Sequence, residues 1–149
     1  MLDRFDLEKT YQYLVITLAF LIPLTVAGAN TIIVIVCVLW LLSGNYSAKF
    51  KQITSNKLIV ASILFYTLHM IGLIWTEDFK WGFHMLHKMW YFIGLFPILF
   101  NIMRKDKIRY YISAFLIAIA LTEICSYLVW FEIIAPFKNA TIENPTPFM

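Results

Sequence analysis

Apolar positions in this chain come in long runs rather than in strict alternation or narrow helical stripes. A bilayer-crossing helix needs roughly 20 mostly apolar residues, with a usable range of about 17–25. Residues 58–75 and 110–130 meet that requirement directly. The run over residues 14–42 is too long for one helix and barely long enough for two. Pro23, Thr25, Gly28 and Asn30 interrupt it. Gly28 and Asn30 carry turn chemistry, so the pattern predicts a helical hairpin with spans near 10–27 and 29–43. Residues 44–57 read as a polar loop.

Residues 89–103 are apolar but short for a span, and residues 79–88 precede them with only Gly82 as a breaker. Thr76, Glu77 and Asp78 suit a helix start, where a side-chain oxygen caps and negative charge meets the positive end of the dipole. One long helix over 79–103 is therefore expected, entering lipid through the headgroup region and kinked at Pro97. The fold class that follows is all-α: a single polytopic membrane domain of about five helices over residues 1–149.

Composition strengthens this reading. Of 149 residues, 61% are hydrophobic and 14% charged, against about 45–50% and 25% in soluble domains. A soluble domain of this size has too much surface for its volume to hide that much apolar material. A cleaved leader is the competing reading of the first span, since Ala27-Gly28-Ala29 resembles a cleavage site. Asp3, Asp6 and Glu8 beside Arg4 and Lys9 argue against it.

The net charge of +3 says little, but its placement says more. With the N-terminus in the cytosol, segments 1–12, 44–57 and 104–109 carry nine of the twelve Lys and Arg residues. The outer segments keep Lys80, Lys88 and Lys138. This bias predicts an N-in, C-out topology. Trp75 and Trp130 on one side and Tyr11, Tyr13, Trp40, Tyr110 and Tyr111 on the other fall where amphipathic rings favour the interface.

Few residues carry chemistry. Glu123 lies inside the fifth span and His69 inside the third, and an ionisable group at that depth is costly. Each reads as a polar packing contact, or the two together as a proton path. His84, His87, Lys88 and Tyr91 share one helical face at i, i+3, i+4 and i+7. That stripe suits either headgroups and water or the phosphates of a lipid-linked substrate. Two His at i, i+3 lack a third zinc ligand. Cys37 and Cys125 read as small apolar packing residues, and the Ala114, Ala118, Thr122, Ser126 series as a close-approach face. Asn139-Ala140-Thr141 matches the short glycosylation triplet. Neither a Gly-rich phosphate loop, a nucleophile elbow nor a nucleic-acid patch is present.

Four stretches bear a family likeness. They are Phe20-Leu21-Ile22-Pro23-Leu24 through Trp40-Leu41-Leu42-Ser43-Gly44, and His69-Met70-Ile71-Gly72-Leu73-Ile74-Trp75-Thr76-Glu77-Asp78. The others are His87-Lys88-Met89-Trp90-Tyr91-Phe92 with Pro97, and Asn144-Pro145-Thr146-Pro147-Phe148-Met149. In order and spacing the chain resembles the N-terminal part of bacterial O-antigen ligase and polymerase-like membrane proteins. The resemblance implies a transferase of the bacterial inner membrane that moves a glycan from undecaprenyl diphosphate at the periplasmic face. The acceptor is the lipid A core for ligases and another lipid-linked glycan for polymerases. It also implies that the basic catalytic residues lie in later segments, so no catalytic residue, metal or cofactor is assigned to this chain. His84, His87 and Lys88 are then expected at the depth of the carrier's diphosphate, and further helices of the same protein are expected as partners. A small polytopic transporter using His69 and Glu123, and a non-catalytic membrane partner, are the alternatives.

Overall fold

The computed structural model describes residues 4–135 and 141, with side chains from residue 7 onward. The Asn144–Met149 stretch, Lys138 and most of the glycosylation triplet lie outside the described residues. Every regular element among the described residues is helical: α1 Arg4–Leu21, α2 Val26–Leu42, α3 Tyr46–Ser55, α4 Lys57–Gly72, α5 Phe79–Lys88, α6 Leu95–Ile102 and α7 Ile108–Trp130. Three short 3-10 turns, Leu73–Trp75, Trp90–Phe92 and Lys105–Lys107, join them.

Two stretches, Lys57–Trp75 and Lys105–Trp130, are long and apolar enough to cross a membrane. The number rises to four if each of two bent pairs is one span. Only 11% of each apolar window is buried within the chain, so most of that surface needs an apolar solvent or further helices. α1 is not among the candidates, because Arg4, Glu8 and Lys9 stand in its first turns.

The first hairpin turns earlier than expected. α1 ends at Leu21 and α2 starts at Val26, so the break surrounds Pro23 rather than Gly28 and Asn30. Proline has no N–H to donate and ends the ladder. Thr25 then restarts it: its carbonyl accepts from Ala29 N and its hydroxyl oxygen from Gly28 N at 3.4 Å. That is the N-cap geometry, in which the cap side chain satisfies the third helical N–H.

The expected loop over 44–57 is mostly helix. Gly44 (φ 63°) and Asn45 (φ 57°) both take the left-handed conformation that ends α2, and α3 leaves at 117° to it. Lys49 holds this elbow by donating to Trp40 O and Ser43 Oγ, each at 2.6 Å, with its ammonium 4.4 Å from the centre of the Trp40 ring. Tyr46, Phe50 and Ile53 form the apolar face at helical spacing, and Ile53 is buried. Asn56 closes α3 and opens α4, its Oδ1 accepting from Leu58 N at 2.9 Å and Ile59 N at 3.4 Å.

The helix expected over 79–103 is two helices. Asp78 caps α5 by accepting from Trp81 N at 3.0 Å. The ladder breaks across Met89–Gly94, where Trp90–Phe92 tightens to a 3-10 turn, and the flanking helices bend by 43°. Pro97 is not the cause. It sits in the first turn of α6, where N–H groups lack helical acceptors anyway. Gly94 is required at the break, because a Cβ there would stand 2.8 Å from the Trp90 ring.

Contacts divide the chain into two compact units, residues 1–36 with 103–149 and residues 37–102. In the first, α1 packs along α7. α1 contributes Tyr11, Gln12, Val15 and Leu18, and α7 contributes Tyr111, Ala118 and Val129. Ala118 is fully buried, as the small-residue face predicts. In the second, α4 packs against the Trp90–Phe92 turn, with Ser62 Oγ donating to Phe92 O at 2.7 Å and the Phe65 and Phe92 rings 5.3 Å apart.

Candidate functional site

α5 carries a polar stripe beside an apolar groove lining. Trp81, Met85 and Met89 join Leu68, His69 and Leu73 in lining an open groove of about 340 Å³ between α5 and the end of α4. Gly82 permits the approach: a Cβ there would meet Leu73 Cδ2 at 2.8 Å. His84, His87 and Lys88 lie outside that lining, are exposed, and make no hydrogen bond or ion pair with another described residue. His84, His87 and Lys88 keep the helical spacing and run beside the groove lining, Lys88 standing seven residues on from Trp81, whereas Tyr91 lies past the end of α5 in the Trp90–Phe92 turn. His87 and Lys88 occupy the last turn of α5, where positive charge also complements the helix dipole.

His69 and Glu123 belong to different compact units. His69 Nδ1 bonds Phe65 O at 2.9 Å, and its ring lies 4.4 Å from Phe65, so the imidazole is satisfied on its own helix. It also reaches the groove wall. Glu123 is exposed on α7, away from the buried line of Tyr111, Ala118 and Val129. Among the described residues no three His, Cys, Asp or Glu side chains are grouped to hold a metal ion.

A polar cluster that no local pattern announces sits where α1 meets the start of α7. Arg104 Nη1 bonds Glu8 Oε1 at 2.6 Å and its Nε bonds Asp106 Oδ1 at 3.0 Å. The hydrogen bond to Asp106, then the charges of Asp106 and Glu8, push the guanidinium above its already high pKa, so it stays cationic. Arg104 N donates to Tyr111 Oη at 3.3 Å, and Tyr111 Oη donates to buried Gln12 Oε1. Glu8 and Arg104 are 96 positions apart, so only the folded chain brings them together.

An all-helical chain with two to four candidate membrane spans is the class these features define. A scan of family models, a search of curated proteins and a search of solved structures each return no match.

Proposed function

We propose that this chain is the N-terminal membrane part of a lipid-linked glycan transferase resembling O-antigen ligase, acting at the periplasmic face of a bacterial inner membrane. The observation that carries the reading is the pairing on α5 of exposed, unpaired His84, His87 and Lys88 with an apolar groove beside them. A polyprenyl diphosphate needs both features, cations for its phosphates and an apolar wall for its chain. In this reading α1, α2, α4, α5 with α6, and α7 make five crossings with the N-terminus in the cytosol, and the nine-to-three division of Lys and Arg supports that sidedness. Helices beyond those described complete the active site and supply its catalytic groups.

The test is glycan transfer from undecaprenyl diphosphate in membranes holding the complete protein. Replacing His84, His87 and Lys88 together by Ala is expected to lower transfer at least tenfold, mainly through KM, as loss of charge-assisted phosphate contacts requires. Unchanged transfer removes the reading. Supplying lipid A core or a second lipid-linked glycan as acceptor separates the ligase from the polymerase.

A further inference from the structure

The α1–α7 groove has the layout of a phospholipid headgroup site. It holds about 400 Å³ and is lined by Lys9, Gln12, Tyr13, Ile16, Lys107 and Tyr110. That volume falls in the range of small-ligand sites, about 300–1,000 Å³.

Three observations define what it would take. First, its two cations are not taken up in ion pairs, although the Asp106 charge lies near enough to act on Lys107. The nearby carboxylates of Glu8 and Asp106 are both bonded to Arg104, and neither Lys9 nor Lys107 forms an ion pair among the described residues. Lys107 Nζ stands over the Tyr110 ring, 5.0 Å from its centre. Second, the lining is graded. Along α1 it runs from Lys9 through Gln12 and Tyr13 to Ile16, and on the other wall from Lys107, the residue just before α7, to Tyr110 and on into the apolar helix. Seven residues of helix rise about 10 Å, so charge, phenol and aliphatic surface follow one another over the depth of a headgroup region. Third, Tyr13 and Tyr110 are both well exposed at this level, where aromatic rings favour the interface.

We infer that this groove binds one anionic glycerophospholipid, its phosphate between Lys9 and Lys107 and its acyl chains along Ile16 and the α7 surface. Basic pockets between membrane helices select anionic headgroups in this way, each lysine contributing about fivefold and the pair about 25-fold. The site lies at the opposite end of the sequence logic from α5: it requires no glycan chemistry and stands whether or not the transferase reading does.

The experiment is lipid retention by the full chain in phosphatidylcholine micelles, challenged with phosphatidylglycerol and read by native mass spectrometry. The wild-type chain is expected to keep phosphatidylglycerol over phosphatidylcholine by about 25-fold, and Lys9→Gln with Lys107→Gln to bring the ratio near one. Lys105→Gln with Arg109→Gln changes as much charge in the same segment outside the groove and is expected to leave the ratio within about twofold. If the double groove variant loses its helical circular dichroism, each single variant is expected to lose about fivefold. A wild-type chain without preference, a groove variant that keeps it, or displacement of the lipid by excess inorganic phosphate overturns the proposal.

Discussion

Replacing Tyr111 by Phe removes a single hydroxyl that donates to Gln12 Oε1 and accepts from Arg104 N. Tyr111 is 4% exposed and Gln12 8%, so the amide oxygen loses a donor where water does not readily replace it. Leaving a buried acceptor short of a partner costs about 1–3 kcal/mol, and bonds between membrane helices average nearer 0.6. A loss of about 1 kcal/mol is expected. Gln12→Leu removes the other partner together with Gln12's remaining interaction, so the double variant should cost about 1 kcal/mol less than the two single changes summed. The coupling between the two positions should therefore be about 1 kcal/mol. Tyr11 supplies an internal control. Its hydroxyl is buried with no hydrogen-bond partner among the described residues, so Tyr11→Phe is expected to be neutral or stabilising by up to about 1 kcal/mol. The assay is unfolding in mixed micelles at increasing dodecyl sulfate fraction, followed by helical circular dichroism. Coupling below about 0.3 kcal/mol, or a greater loss for Tyr11→Phe than for Tyr111→Phe, refutes the hydrogen-bond account of the α1–α7 interface.

Five further substitutions follow the same reasoning and the same unfolding assay. Gly94→Ala is expected to cost about 1–3 kcal/mol by driving a methyl group into Trp90, whereas Gly72→Ala, with open space around its Cβ, is expected to gain up to about 1 kcal/mol from helix propensity. Asn56→Ala removes the cap of α4 and should cost about 1 kcal/mol. Lys49→Met removes two hydrogen bonds and a ring contact at the α2–α3 elbow and should cost about 1–3 kcal/mol, with restoration by Arg only partial because its planar fork differs from an ammonium. Ser62→Ala frees the Phe92 carbonyl and should cost about 0.6–1.5 kcal/mol.

The longest apolar runs were legible because length and hydropathy alone define them: residues 58–75 became α4 with its 3-10 end, and residues 110–130 became most of α7. The first hairpin was harder, since four kinds of breaker competed within eight positions. Pro23, followed by a capping Thr25, outweighed Gly28, which a helix tolerates at modest cost. α3 was obscured by its lysines, although Tyr46, Phe50 and Ile53 mark a helical face. The break at Met89–Gly94 depends on how Trp90 packs beside Gly94, a tertiary fact with no local signature. The same division holds for the sites. His84, His87 and Lys88 share a face by spacing alone, while the α5 groove and the Glu8–Arg104 link join distant positions that no periodicity connects.

The elbow after α2 fixes the length of that helix. Its seventeen residues make a rod of about 26 Å before the left-handed pair Gly44-Asn45 turns the chain away. A typical hydrocarbon layer is about 30 Å thick. In the proposed five-span arrangement, where α2 crosses alone, it is a few ångströms short, and lipid beside it would thin to meet both of its ends, at a fraction of a kcal/mol per ångström of mismatch. Short-chain lipids should accordingly stabilise this protein more than long-chain ones do.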